Sequence, residues 1–439
     1  MIALEGRGSS RYRGFGLWVW TSLIVIFATS MFSDVSRFLN PAGEKYMPGY
    51  YAGGQVDFSL PYLGARALLA GENPYTTQNP EFMHKLIPGE IINGKVYTQL
   101  YPPGHLLTYV PLAWVYGPDT VAAGRCFVII SMVLLVGIGL LTWRLVQRAR
   151  GEPVSPLFAF LAVASLTLQP GVQLGLERGQ SDILTSLLCW GAMFSVIHRA
   201  FGLAAFLTAW AVNVKAYPIL FAAGIGVLML RRKAFGRALL GALAALAVFL
   251  LPAVRFLDDG FQGTLHRSNM FWPAWFNHSF KNLVYHTLSP AAADAGRLIL
   301  TFFAVLVAGV WGWRARQYLD VDRSPMAVLS LAIFGTTSLA AVLGYSALSV
   351  SYNLILTLPG VVVLAASQDR VAEELRLGPV GRHLLGVATT CTAFALFLGR
   401  WGEYPLSGLG LVMELGLLAV LALRLGIESG ARQYTVSGA

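Results

Sequence analysis

Val121-Ala-Ala-Gly-Arg125-Cys-Phe-Val-Ile-Ile130-Ser-Met-Val-Leu-Leu135-Val-Gly-Ile-Gly-Leu140-Leu-Thr-Trp143 is an apolar run with one charge in it, and Arg144, Arg148 and Arg150 follow at once. About 20 apolar residues wound as a helix cross the hydrocarbon core of a bilayer. Basic residues beyond a crossing mark the cytoplasmic side. Similar runs recur along the chain, and twelve are read as spans: 15–33, 121–143, 155–172, 181–197, 200–213, 216–230, 236–254, 297–314, 326–344, 352–367, 384–399 and 406–426. The chain is 56% hydrophobic and only 12% charged, about half the charged share of soluble domains. The fold class expected is therefore an all-α integral membrane protein, with residues 1–439 forming a single polytopic domain. A net charge of +10 does not imply nucleic acid as a partner, because the basic residues sit at span ends. The expected partner is the lipid bilayer.

An even number of spans puts both termini on one side. Arg7, Arg11 and Arg13 precede the first span, Arg231, Arg232 and Lys233 follow the sixth, and Arg314 and Arg316 close the eighth. Both termini are accordingly expected in the cytoplasm of a multi-pass protein of the plasma or inner membrane. Ala28-Thr29-Ser30 is a poor cleavage match, so the first segment is expected to remain as an anchor. Cys126, Cys189 and Cys391 all lie in apolar segments, which indicates neither a disulfide framework nor a zinc site. Two long external loops, 34–120 and 255–296, then hold most of the polar chemistry. The first contains ten of the 21 prolines, a composition of compact turns. Within it, residues 104–116 are apolar but too short to span, and are expected to form a helix in the membrane interface.

The candidate residues follow from this map. Asp57 begins Asp-Phe-Ser-Leu-Pro-Tyr62 after the first span, where a carboxylate can act as a general base or simply solvate a loop or cap a helix. Leu63–Leu69 has helical periodicity, which places Arg66 near Asp57, with a plain ion pair as the alternative to a role toward substrate. Tyr101-Pro102-Pro103 is a stiff aromatic turn. Glu177-Arg178-Gly179-Gln180-Ser181-Asp182 is a polar connection between apolar runs, to be satisfied in a cavity or as an exposed hairpin. Lys215 lies inside a hydrophobic stretch beside the Tyr217-Pro218 break. It needs a partner or ligand there unless it snorkels to the interface. Trp272-Pro273-Ala274-Trp275 with Asn277-His278-Ser279 offers aromatic faces beside polar groups, as a sugar requires, although an interfacial belt looks the same. Ser349, Ser351, Tyr352 and Asn353 open the tenth span from the external side, where a plain polar helix start looks the same. Asp320 and Asp322 fall in a cytoplasmic turn and are read as solvated, and Glu414 lies within the twelfth span. No metal ligand set and no cofactor is expected.

Gly71-Glu72-Asn73-Pro74-Tyr75 together with the Asp57 segment, Tyr101-Pro102-Pro103, Gly179-Gln180-Ser181-Asp182, Lys215-Ala216-Tyr217-Pro218, Asn277-His278-Ser279 and Tyr352 to Pro359 resemble glycosyltransferase family 87. That family belongs to the multi-span glycosyltransferase-C superfold and uses polyprenyl-phosphate sugars. The resemblance extends from Asp57 to about Pro359. It implies that Asp57 is the general base of an inverting transfer, that Lys215 faces the donor phosphate, and that Gln180 and Asn277 line the site. Two positions depart from the pattern. Members that mannosylate phosphatidylinositol mannosides tend to carry histidines where this chain has Tyr352 and Asn353, and the family's common Asn-Gln-Ser is Asn277-His278-Ser279 here.

The activity so implied is transfer of a sugar, mannose foremost, from a polyprenyl-phosphate donor to a lipid-linked or cell-envelope glycan acceptor at the external face. Cations beside the leaving phosphate, Lys215 with Arg66 or Arg267, would make a metal unnecessary. Asp182, His278, Tyr352 and Asn353, with Tyr101 and Pro102, complete the expected binding residues. A secondary transporter or lipid-linked sugar flippase would share the spans and the buried charges, but transporters favour internal repeats and mid-membrane sites. An enzyme using a metal-bound nucleotide sugar at Asp320 and Asp322 is the remaining alternative.

Overall fold

The computed structural model describes residues 17–39, 56–76, 90–92, 95–97, 101–231, 234–269, 279–321, 325–345, 351–398 and 406–436. Helices dominate. In chain order they are α1 (Leu17–Leu39), α2 (Val56–Leu69), α3 (Pro103–Tyr116), α4 (Thr120–Arg150), α5 (Pro156–Leu168), α6 (Pro170–Arg178), α7 (Asp182–Ile197), α8 (Phe201–Val214) and α9 (Ile219–Arg231). They continue with α10 (Phe235–Leu250), α11 (Leu257–Asn269), α12 (Phe280–Thr287), α13 (Ala293–Val321), α14 (Pro325–Tyr345), α15 (Leu358–Glu374), α16 (Pro379–Leu398) and α17 (Leu406–Val436). Short 3₁₀ turns occupy Leu251–Phe256 and Ser351–Leu356. The all-α expectation needs one amendment. Glu90–Ile92 and Lys95–Tyr97 pair as a two-stranded antiparallel hairpin in the first long loop.

Among the described residues, five helical stretches are long and apolar enough to cross a membrane: Thr120–Arg150, Phe235–Leu265, Pro290–Ala315, Pro325–Tyr345 and Pro379–Leu398. This is a membrane protein. Several of the expected spans form shorter helices, and the segment expected at 155–172 is divided in two. Its division is local chemistry: Pro170 cannot continue a helix, and the buried Gln169 leaves helical backbone and accepts from the Val172 N–H. Asp119 caps α4 and Ser155 caps α5 in the same way.

Helix α14 is the hub. Every residue from Ala327 to Gly344 is buried, which is the pattern of a helix that is apolar all round. Small residues let its neighbours approach. A methyl group added at Gly224 or Gly312 would meet the Phe334 ring, and one added at Gly335 would meet Met193. The two ends of α4 anchor different chemistry. At its C-terminus Arg150 is buried, donating to the Ala366 carbonyl at 2.7 Å and to Asp369 at 2.8 Å, with Glu152 alongside. Near its N-terminus, about 35 Å away by helix rise, Phe127 receives α2 and α3.

That reception is aromatic. Phe58 stacks on Tyr62 with centroids 5.2 Å apart and meets Phe127 at 5.3 Å; Tyr109 stacks on Phe127 at 5.1 Å. The Tyr62 hydroxyl donates to the Gly117 carbonyl at 2.8 Å. Each ring pair contributes about 0.5–1.5 kcal/mol beyond its buried area, so α2 is pinned although it is only 14 residues long. Helix α3 forms where an interfacial helix was expected, and its last turn leaves Trp114 79% exposed.

Candidate active site

Asp57 sits in the first turn of α2. Its partner is Arg178, whose Nε donates to Oδ2 and whose Nη2 donates to Oδ1 at 3.1 Å. The expected neighbour, Arg66, is in the last turn of the same helix. Nine positions along a helix amount to about 13 Å of rise and half a turn of rotation, so the two residues face opposite ways. Arg178 reaches Asp57 because α6 ends there. Gly179 takes a left-handed conformation at φ 69°, its N–H bonds to the Leu176 carbonyl, and the Gln180 N–H bonds back to Gly175 at 2.8 Å. This closing turn favours glycine.

The same turn carries the second cluster. Gln180, Ser181 and Asp182 are all buried, which overturns the exposed-hairpin alternative. Lys215 is 2% exposed and its Nζ lies 3.3 Å from Asp182 Oδ2. The ammonium also donates to Gln180 Oε1 at 3.1 Å and stands 4.9 Å from the centre of the Tyr101 ring. The other Asp182 oxygen accepts from Asn353 at 2.7 Å and from the Tyr217 hydroxyl at 3.2 Å. Lys215 is delivered by the expected helix break: α8 ends at Val214, Lys215 is extended (φ −141°, ψ 132°), and α9 starts at Ile219. Asn353 is delivered by the 3₁₀ turn 351–356, which Ser186 and Trp190 fix by donating to the Ile355 and Leu356 carbonyls. Lys215 therefore does not snorkel. It forms a buried ion pair, whose mutual attraction offsets the cost of taking both charges out of water only while both partners remain.

Aromatic side chains floor the site. Tyr101 stacks on His105 at 4.2 Å between centroids, and His105 is tilted against Tyr109 at 5.3 Å. Burial pushes the Tyr109 phenol well above its ordinary pKa, and nearby Tyr101, Asp182 and Asp57 push it further. The 178–182 turn ties the two clusters into a single region, with Arg178 at one end holding Asp57 and Asp182 at the other paired with Lys215. Asn73 and Tyr75 dock this region against the second loop: Asn73 donates to Asp259 at 2.8 Å, and a methyl group on Gly260 would strike the Tyr75 hydroxyl.

Of the residues expected from sequence, Asp57, Tyr101, Pro102, Gln180, Asp182, Lys215 and Asn353 gather here. Arg66 is half-buried on the far face of α2. Arg267 lies in α11 and Tyr352 in the 3₁₀ turn, but their side chains are outside the described residues, as are Asn277 and His278 entirely. Asp322 is likewise outside them. The sequence reading did not single out Arg178, His105 or Tyr217. The four-residue spacing of Tyr101, His105 and Tyr109 is a signal that could have found the second of these, since it places three rings on one helical face.

The two carboxylate–cation pairs differ in what they can do. The Asp182 side chain is 1% exposed, and its acceptors are engaged. The Asp57 side chain is 12% exposed, the more accessible of the two carboxylates. Gln180 Nε2 is buried with no hydrogen-bond partner among the described residues, leaving a donor for a ligand oxygen. Residues 99–343, more than half of the chain, match the family model of glycosyltransferase family 87. No curated protein matches the chain.

Proposed function

The chain belongs to glycosyltransferase family 87, and on that premise we propose that it transfers a sugar, mannose foremost, from a polyprenyl-phosphate donor to a lipid-linked or cell-envelope glycan. The reading includes twelve spans, a glycosyltransferase-C architecture, cytoplasmic termini, and a site on the external face formed by the loops 34–120 and 255–296. One observation carries it: a partly open carboxylate, Asp57, lies beside a sealed cation–carboxylate cluster. In the reaction the acceptor hydroxyl gives its proton to the Asp57 carboxylate as its oxygen forms a bond to the anomeric carbon. The bond from that carbon to the phosphate oxygen breaks, and the polyprenyl phosphate leaves with the electron pair. Attack from the face opposite the phosphate inverts the anomeric centre.

The leaving phosphate gains negative charge, and cations fixed beside it lower the barrier. Arg178 and Lys215 are the described candidates, with Arg267 of the second loop. Lys215 can donate to the phosphate while it stays paired with Asp182, because an ammonium carries three N–H donors. Gln180 Nε2 supplies a donor to the sugar or phosphate. No step requires a metal.

The test is transfer by purified protein in detergent or nanodiscs, supplied with a polyprenyl-phosphate mannose and membrane glycolipid acceptors, with and without a chelator. The expected result is chelator-resistant transfer with inverted anomeric configuration in the product. A strict need for a divalent ion, or consumption of a nucleotide sugar instead, would overturn the reading.

A further inference from the structure

His105 is 1% exposed and lies outside every motif that carries the proposed reaction. Its Nδ1 is 3.0 Å from the Val214 carbonyl oxygen and 3.2 Å from Ser181 Oγ. A carbonyl oxygen can only accept, so Nδ1 carries the hydrogen. Val214 ends α8, and its carbonyl is one of the acceptors that a helix C-terminus leaves without an intrahelical donor. The chain position is what matters. Val214 immediately precedes Lys215, and Ser181 immediately precedes Asp182. One imidazole nitrogen therefore holds the backbone neighbour of each charge in the buried pair.

The ring face does a related job. His105 stacks on Tyr101, and the Tyr101 ring is the one over which the Lys215 ammonium stands. Next to it, Gly104 presses on Asn213 so closely that a Cβ would come within 2.5 Å of the Asn213 Cβ, which docks the start of α3 onto the end of α8. The histidine thus touches both arms and the floor of the Lys215 site.

We infer that His105 is a positioning residue for glycosyl transfer: it locks the α8 break to the 178–182 turn so that Lys215 and Asp182 keep the spacing the donor phosphate needs. This rests on the transferase reading above. Three variants separate its two contributions. His105→Asn keeps an N–H donor where Nδ1 stood, because the amide nitrogen of asparagine is nearly superposable on it. His105→Phe keeps the stacked ring and deletes the donor, and His105→Leu deletes both.

Transfer is measured alongside the reactivity of Lys215 toward a small membrane-permeant acylating reagent, read by peptide mass spectrometry on the full-length protein. The expected pattern is near-wild-type transfer and an unreactive Lys215 in His105→Asn, against a ten- to hundredfold loss of kcat and a labelled Lys215 in His105→Phe and His105→Leu. Rescue confined to the donor-retaining variant is what a merely space-filling histidine would not produce. Equal activity and equal labelling in all three variants would overturn the inference, and so would an asparagine variant as impaired as leucine. If wild-type protein transfers nothing from a polyprenyl-phosphate sugar, the transferase reading fails. The labelling pattern still decides whether His105 holds the lysine.

Discussion

Arg178 grips Asp57 with two donors from a position 121 residues away, Nε to one carboxylate oxygen and Nη2 to the other. A two-point grip by a planar guanidinium fixes the plane of the carboxylate as well as its location. The carboxylate oxygens retain lone pairs beyond those the arginine uses, so an acceptor hydroxyl can approach while the orientation is kept.

Asp57→Asn preserves shape and one acceptor oxygen while removing the base. Transfer should fall by about 10²–10⁴-fold, the range that a positioned general base supplies, with thermal stability in detergent little changed because the pair is partly open. Turnover near wild type would remove Asp57 from the mechanism.

Arg178→Lys keeps a charge near Asp57 but loses the fork, and Arg178→Gln loses both. If orientation is what Arg178 provides, lysine should fail nearly as badly as glutamine, since a point charge cannot replace a bidentate contact. A double-mutant cycle with Asp57→Asn should show strong non-additivity in kcat. Independent effects would mean that Arg178 acts elsewhere.

The buried pair makes a prediction that sequence alone reverses. A lysine with only a lipid phosphate for a partner could become methionine with little cost to folding. With Asp182 beside it, Lys215→Met strands a buried carboxylate and should cost about 3–5 kcal/mol, as should Asp182→Leu. The double variant Lys215→Met with Asp182→Leu should recover much of that stability and no activity. Denaturation in detergent and transfer assays on the three proteins check both halves.

Gly104→Ala should weaken the docking of α3 on α8, because the new methyl group meets the Asn213 backbone oxygen and Cβ rather than a movable side-chain tip. A loss of about 1–3 kcal/mol is expected for such overpacking, read as a lowered Tm with raised KM for the donor. An unchanged Tm would show that the two helix ends can part freely.

Sidedness is checked with single cysteines in a background lacking Cys126, Cys189 and Cys391. Glu72, exposed on the first loop, and Val380, exposed just after the Arg150–Asp369 end of α15, mark opposite ends of the protein. An impermeant thiol reagent added to intact cells should label Glu72→Cys and leave Val380→Cys untouched. The reverse would turn the protein over in the membrane.

Much of this architecture was written locally. Apolar runs of about 20 residues, Pro170, and the Lys215–Pro218 break each act within a few positions of the chain, so the sequence exposes them directly. The pairings were not local. Asp182 opens α7 while Lys215 lies in the break between α8 and α9, and no period links them. Arg66 looked close to Asp57 because it is close in sequence, yet on one helix that spacing points it away, and the true partner comes through a turn made by Gly179. His105 lies four positions from Tyr101, but a single histidine on an apolar helix carries no pattern until the broken end of another helix is set against it.

Arg178 and Asp182 are joined by three residues of closely wound backbone. One carries the grip on the open carboxylate, and the other is half of the sealed pair. The gap between Asp57 and Lys215, the proposed proton acceptor and phosphate-facing cation, is thus gauged by a short covalent ruler. Long insertions elsewhere in the surface loops would leave that gauge untouched, whereas a single residue gained or lost between 178 and 182 would shift both marks at once. On the proposed reading, changes of sugar or acceptor choice are open to the loops, whereas an insertion or deletion in this one interval should abolish transfer.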